Sequence, residues 1–224
     1  MDDLCASQSV GLIATVHPVA MDVFRRLGIN YFCDGTARLD ELCVALGLEP
    51  QDVLREIQTR EGGLKTPLPR WDQRSLGELI DHILERFHST LLRDLKVLEL
   101  KALLLPRCHT VPGETAADLA FVLAELREES WYHLEKEEQQ LFPWLRSGQG
   151  STAGMMLHVM HLEHRTEGRL WMRIRALTHH YRVPDGADDL TRSLWQGLEA
   201  LEASHQEHMH LENNVLAPRA IQDG

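Results

Sequence analysis

The sequence predicts an all-α protein with a small N-terminal helical domain over residues 1–66 and an antiparallel four-helix bundle over residues 71–224. Apolar residues recur every three or four positions along most of the chain, which is the period of an amphipathic helix. Runs of β-branched residues, which favour strands, are scarce. Glycine and proline interrupt the pattern between residues 61 and 69, because neither supports a continuous helix. This interruption is the predicted boundary between the two domains.

Three short helical patterns precede the boundary. The first has Pro18 at its first helical position and Gly28 as its C-cap, the second ends at Gly47, and the third begins at Pro50. A domain of about sixty residues buries a small fraction of its surface and is marginally stable by itself.

Four long helices are predicted after the boundary. Ser75 and Glu78 form a capping box that opens the first of them. Turn residues cluster at positions 106–113, 147–151 and 184–186. Long helices joined by short turns form an antiparallel bundle.

Composition excludes several classes of function. The 224 residues include 23 Lys and Arg against 34 Asp and Glu, a formal net charge of −11, and such a surface repels nucleic acid and anionic lipid. No apolar run approaches the roughly 20 residues that span a bilayer. The acidic N-terminus lacks the apolar stretch of a secretory signal, and the four cysteines contain no Cys-x-x-Cys pair. We therefore expect a cytoplasmic protein with reduced thiols, and neither a nucleic acid nor a membrane as partner.

Two segments of the predicted bundle share a His-x-x-x-Glu spacing. They are His133 with Glu137 and His208 with Glu212, and in both a leucine follows the glutamate by four positions and a proline by six. Residues four apart lie on one face of a helix, about 6 Å apart along its axis. Each of these helices can therefore offer an imidazole and a carboxylate to one metal site, or a carboxylate that bridges two metals.

The other two helices supply matching histidines. His88 precedes His133 by 45 residues, and His164 precedes His208 by 44. Two residues at the same height of an antiparallel hairpin are equidistant from its turn. The midpoints between successive ligand candidates fall near residues 110, 150 and 186, each inside a predicted turn. The candidates are thus expected to lie in one layer of the bundle.

The predicted layer contains four imidazoles and two carboxylates, which exceeds the donor set of a tetrahedral zinc site. The set suits two octahedral iron ions that are bridged by carboxylates and keep open positions for a small ligand. A single His-x-x-x-Glu pair is often a solvated pair on an outer helix face, but two pairs with matched spacing and height argue against that interpretation. The six candidate metal ligands are His88, His133, Glu137, His164, His208 and Glu212.

Other residues near the layer are predicted to have other roles. His109 is excluded because it lies in a turn, about 31 Å along a helix from His88, and His82 is predicted to be exposed. Supporting or surface positions are predicted for His158, His161, His205 and His210. Glu135, Glu138 and Glu163 are predicted to be solvated charges and not bridging ligands. Core positions are predicted for Trp131, Trp144, Trp171 and Trp195.

The chain resembles the repair of iron centres (RIC) family of bacterial hemerythrin-like di-iron proteins over nearly its whole length. The resemblance is carried by IDHILERFH (80–88), HLEKEEQQLFP (133–143), LEH (162–164) and HLENNVLAPRA (210–220). It implies two non-haem iron ions held by the same six residues. It also implies a role in nitrosative and oxidative stress, nitric oxide or dioxygen as the small ligand, and damaged iron–sulfur proteins as clients.

One segment departs from the family pattern. The N-terminal domain of the family usually carries Tyr-Cys-Cys-Gly-Gly, whereas this chain has Tyr31-Phe32-Cys33-Asp34-Gly35. A function that needs a vicinal dithiol is therefore in doubt, and the chain looks closer to the NorA-type nitric-oxide-binding proteins of denitrifiers. Cys33 is interpreted either as a functional thiol or as a small apolar residue of the domain core.

The sequence is compatible with three functions. The first is a di-iron protein that binds nitric oxide and helps to protect or repair iron centres. The second is an oxygen carrier or sensor like hemerythrin, and the third is a redox enzyme that reduces nitric oxide or peroxide. Both a monomer and a homodimer fit the sequence, because the helix faces show no unexplained large apolar stripe.

Overall fold

The structure is a computed structural model that describes residues 4–105 and 111–222. Within these ranges the chain forms helices and turns, with an isolated bridge between Ser9 and Arg38 and no strand, so the all-α prediction is confirmed. The α-helices are α1 (Val10–Val16), α2 (Val19–Leu27), α3 (Leu39–Leu46), α4 (Pro50–Gly62), α5 (Leu76–Ile83), α6 (Ser89–Leu104), α7 (Gly113–Lys136), α8 (Phe142–Arg146), α9 (Gly154–Leu177), α10 (Asp189–His210) and α11 (Ala217–Gln222). Three π-helical segments, Leu84–His88, Glu137–Leu141 and Leu211–Leu216, continue α5, α7 and α10, and short 3₁₀ turns occupy Trp71–Gln73 and Gly150–Thr152.

The N-terminal part contains four helices where the sequence predicted three. The additional helix, α1, has seven residues and is capped by the Ser9 side chain, which accepts a hydrogen bond from the Leu12 amide. Gly28 ends α2 in the left-handed conformation, as predicted, and Pro50 begins α4. Pro18 lies one position earlier than predicted, at the N-cap of α2.

The core of the N-terminal helices includes a residue of the bundle. Met209, on α10, is fully buried in the same apolar cluster as Phe24 and Leu39. Packing against α10 adds buried apolar surface to a group of helices that would be marginal by themselves.

The bundle consists of four helical rods, which are α5–α6, α7–α8, α9 and α10–α11. Each π-helical segment lies inside one of these rods. The predicted capping box is present, because Ser75 Oγ accepts from the Glu78 amide and the Glu78 carboxylate accepts from the Ser75 amide. Gly148 and Gly186 adopt positive φ in the second and third predicted turns. Residues 106–110 of the first predicted turn, which include Cys108 and His109, lie outside the described residues.

Two apolar clusters of the bundle lie on either side of the candidate ligands along the rods. One extends from Leu91 towards the first turn and includes Trp171 and Trp195, as predicted. The other includes Phe87 and Phe142 at the opposite end. The prediction was wrong for the other two bundle tryptophans. These are Trp131, which is 45% exposed, and Trp144, which is 39% exposed.

The outer face of α6 carries an exposed apolar stripe, whereas the sequence led us to expect no large unexplained stripe on any helix. Val97, Leu100 and Leu104 follow the helical period, and each exposes more than two fifths of its surface. Among the described residues, no helix is both long enough and apolar enough to cross a bilayer.

Candidate metal centre

All six candidate ligands converge in one buried layer. The most exposed of them is His88, at 7%. One group of four consists of His88, Glu137, His208 and Glu212, and the other of His133, Glu137, His164 and Glu212. Within each group the potential ligand atoms lie within 4.8 Å of one another. The sequence-predicted residues are therefore brought together by the fold, and the two glutamates belong to both groups.

The three π-helical segments occur at this layer. His88 ends the first segment, Glu137 begins the second, and Glu212 lies in the third. Such segments are rare and concentrate at functional sites. Pro143 and Pro218 follow the second and third segments, and because proline cannot donate the i→i−4 bond it loosens the preceding turn.

The four imidazoles meet in two pairs through their Nε2 atoms. The Nε2 atoms of His88 and His208 are 3.0 Å apart, and those of His133 and His164 are 2.9 Å apart. Two imidazole nitrogen atoms this close to each other can be ligands of one cation.

Each glutamate reaches both imidazole pairs. Glu137 Oε1 lies 3.3 Å from His133 Nε2, and Glu137 Oε2 lies 3.4 Å from His88 Nε2. Glu212 Oε1 lies 2.8 Å from His208 Nε2, and Glu212 Oε2 lies 3.1 Å from His164 Nε2. Two carboxylates that each present one oxygen to either pair are arranged as bridges between two cation positions.

Two of the imidazole rings are held in orientation by carboxylates that contact their Nδ1 atoms. Glu138 Oε1 lies 3.1 Å from His88 Nδ1, and Glu163 Oε2 lies 3.0 Å from His133 Nδ1. An acceptor at Nδ1 selects the tautomer that leaves Nε2 free to bind a metal. Glu138 and Glu163 were predicted to be solvated charges and not bridges. Glu138 is exposed, as predicted, and neither glutamate belongs to the two groups of potential ligands, but the prediction missed their contacts with the facing histidines. Glu135, the third acidic residue of that prediction, is exposed.

Asn213 performs the same role for the third ring. Its Oδ1 lies 2.9 Å from His164 Nδ1, and its amide donates to the carbonyl of Phe32 in the N-terminal part. Sequence reasoning missed this residue, although its position directly after Glu212 was a usable signal. The Nδ1 of His208 has no hydrogen-bond partner among the described residues.

The electrostatics of the layer favour a bound cation. Burial, together with the neighbouring charge of Glu212, raises the pKa of Glu137. Burial lowers the pKa of His208 to about 3, so this imidazole is neutral, as a metal ligand must be. Within the described chain, Glu137 Oε2 and Glu212 Oε2 are buried without a hydrogen-bond partner. Buried carboxylates are stable only when paired or coordinated, so the six side chains fit a metal site.

A second polar layer lies about one helical turn from the ligands. Ser130 Oγ donates to Glu167 Oε1 at 2.6 Å, and Trp171 Nε1 donates to His205 Nδ1 at 2.8 Å. His205 Nε2 and Glu167 Oε2 lie 3.4 Å apart. His205 was predicted to support the ligands, whereas Ser130 and Glu167 were missed.

The remaining histidines divide between the surface and the core. His158 is exposed, and His161 Nδ1 lies 3.3 Å from Asn213 Oδ1. These are a surface and a supporting position, as predicted. His210 is buried against Tyr31, with ring centroids 5.4 Å apart. His82 was predicted to be exposed, and this was wrong because its ring is partly buried and stacks on Trp71 at 4.0 Å.

Comparisons with known proteins agree with this architecture. A family model described as the hemerythrin HHE cation binding domain matches residues 79–220, and one described as a domain of unknown function (DUF542) matches residues 6–61. The chain is 33% identical over 222 residues to proteins named iron-sulfur cluster repair protein YtfE from Yersinia pseudotuberculosis serotype IB (strain PB1/+) and Yersinia pestis (strain Pestoides F). Each alignment covers 96% of this chain and 97% of the relative. The chain therefore belongs to the repair of iron centres family of hemerythrin-like proteins.

Proposed function

We propose that the metal centre holds two iron ions bridged by Glu137 and Glu212. His88 and His208 bind one ion, and the other is bound by the remaining pair of histidines, His133 and His164. The observation that carries this assignment is that the two groups of four potential ligands share both glutamates. Imidazole and carboxylate donors together suit iron, and carboxylate-bridged pairs of iron ions are a recurrent cofactor of helical bundles.

The proposed function is to bind nitric oxide in the cytoplasm and to protect or help repair iron–sulfur clusters under nitrosative stress. Four protein donors for each ion leave positions open in an octahedral site. Ferrous iron with an open position binds nitric oxide strongly, so the binding step needs no catalytic acid or base. The names of the Yersinia relatives support cluster repair, with iron–sulfur proteins as clients.

The surrounding residues hold the ligands and exclude water. Phe87 stacks on His208 with ring centroids 5.3 Å apart, and Phe142 lies 5.6 Å from His88. Apolar clusters on both sides of the layer leave little room for bulk solvent. A dry environment around the imidazoles favours a small, weakly polar ligand over water.

Anaerobic titration of the reduced, iron-loaded protein with nitric oxide tests this function. We expect a saturable change in the visible absorption spectrum, because the added ligand enters the open positions on iron. The matched control is the Glu137→Ala protein at the same concentration, in which the change should fall in proportion to the iron that is lost.

An unchanged spectrum in fully iron-loaded protein would contradict nitric oxide binding. A dioxygen adduct that forms in the same protein and is released under vacuum would instead favour the oxygen carrier. Continuous consumption of nitric oxide in the presence of an electron donor would favour the reductase.

A further inference from the structure

A cleft of about 410 Å³ lies between the N-terminal helices and the bundle, and the metal layer does not use it. One wall is formed by Arg25 and by residues 28–30 and 32–34, and the other comes from α9 and α10. Among the described residues that line the cleft, none is one of the six proposed iron ligands. Its volume is in the range of pockets that bind small molecules. We call it the arginine cleft, after the four arginines that line it, Arg25, Arg165, Arg169 and Arg175.

Two of these arginines are already neutralised. Arg175 Nε donates to both carboxylate oxygens of Glu202 at 2.8 Å, and Arg25 binds Asp22 at 2.6 Å. These ion pairs therefore neutralise two of the four arginines that line the cleft.

The other two arginines have no carboxylate partner within the described parts of the chain. Arg169 donates to the hydroxyl of Thr166 at 2.8 Å, and Arg165 forms no ion pair there. Both lie on α9 one helical turn apart, so they lie on one face of that helix. The Asp34 carboxylate also lines the cleft, so the two unpaired guanidinium groups leave an excess of positive charge there, which attracts anions locally in a chain of net charge −11.

The wall of the cleft also contains an unused buried acceptor. Gln206 is only 5% exposed, and its Nε2 donates to Glu202 Oε1 at 3.1 Å, which fixes the orientation of the amide. Its Oε1 has no hydrogen-bond partner among the described residues. A buried acceptor of this kind ordinarily has a donor, so Gln206 can accept from an N–H or O–H group of a ligand once the side chains that cover its oxygen move aside.

The Cys33 thiol lies in the same wall but does not supply nucleophilic chemistry. Burial, with a further contribution from Asp34, raises the pKa of Cys33 to about 12, so the thiol stays protonated near pH 7. Phe32, the residue before Cys33, lines the cleft as well. The chemistry of the cleft is therefore that of binding.

We infer that the arginine cleft binds a small molecule with a carboxylate or phosphate group, held by Arg165 and Arg169, and with an N–H or O–H group that donates to Gln206. The planar guanidinium presents paired donors that match the geometry of both oxyanions. This inference does not depend on the identity of the metal.

Calorimetric titration of the full-length, iron-loaded protein tests the inference with two probes. Inorganic phosphate provides one oxyanion, and L-glutamate provides carboxylates with an ammonium donor. At low ionic strength we expect at least one probe to bind with a dissociation constant below about 10 mM, and binding should weaken with added salt. Binding of phosphate alone would assign a phosphate-bearing ligand, and binding of glutamate alone would assign a carboxylate. The visible spectrum of the iron centre should stay unchanged, which separates this site from the metal.

Variants on α9 provide the matched comparison. The Arg165→Ala/Arg169→Ala double variant should lose affinity by at least about tenfold, while the double lysine variant should retain part of it. Arg173→Ala is the control, because Arg173 is exposed on the same helix and pairs with Glu125 at 3.1 Å. It should bind as the wild type does.

The inference would be overturned if neither probe bound, or if the double alanine variant bound as tightly as the wild type.

Discussion

Replacing either Glu137 or Glu212 with alanine is expected to lower bound iron from about two ions per chain to one or none. Each carboxylate presents one oxygen to either imidazole pair, so each substitution removes a donor from both proposed iron positions at once. The bundle should still fold, because the apolar clusters on both sides of the layer are untouched. Elemental analysis measures the iron, and far-ultraviolet circular dichroism measures the helix content.

Glu135→Ala is the matched control for these two variants. Glu135 lies on α7 two residues before Glu137 but is exposed to solvent. Its loss should leave the iron content at the wild-type value. Retention of two ions per chain in both the Glu137 and the Glu212 variants would contradict the proposed bridging role.

Gly35→Ala is expected to lower the free energy of unfolding by about 2–4 kcal/mol. A Cβ atom at Gly35 would lie 1.9 Å from Oδ1 of Asn214, and one at Gly11 would lie 2.6 Å from the same atom. The Asn214 amide donates to the carbonyls of Tyr31 and Phe32, which ties the N-terminal part to the third π-helical segment. Displacement of Asn214 would break these bonds and leave buried polar groups without partners.

Gly168→Ala is the control for Gly35→Ala and should change stability in the opposite direction. Gly168 lies within α9, and a Cβ there would meet Phe32 and Cys33 at 3.6 and 3.9 Å, which are ordinary contacts. Alanine is favoured over glycine inside a helix by about 0.5–1 kcal/mol. Chemical denaturation of both variants gives the comparison, and a Gly35→Ala protein as stable as the wild type would refute the proposed role of Asn214.

The convergence of the six His and Glu side chains in one layer could be predicted from the sequence because helices are rigid and regular. A spacing of four places His133 and Glu137 on one face, and turn positions place residues of antiparallel rods at equal heights. The same regularity explains why the capping box at Ser75 and the left-handed Gly28 agree with the structure. Local rules are sufficient where one residue type has one dominant conformational preference.

The parts that could not be predicted depend on contacts between elements. Glu138 and Glu163 look like solvated charges along the chain, and only the facing histidine of another helix reveals their role. The π-helical segment Leu84–His88 has no following proline, so no local signal marks it. The exposure of Trp131 likewise depends on how its helix is rotated about its own axis. A periodic pattern of apolar residues does not fix that rotation closely enough to decide whether a residue at the edge of the apolar face is buried.

We propose that the buried layer is a carboxylate-bridged di-iron centre. Metal analysis combined with an absorption spectrum, on protein purified without added metal and again after iron reconstitution, tests it most directly. We expect about two iron ions per chain and charge-transfer absorption in the near-ultraviolet and visible range. A single zinc ion per chain, or no bound metal after reconstitution, would contradict it.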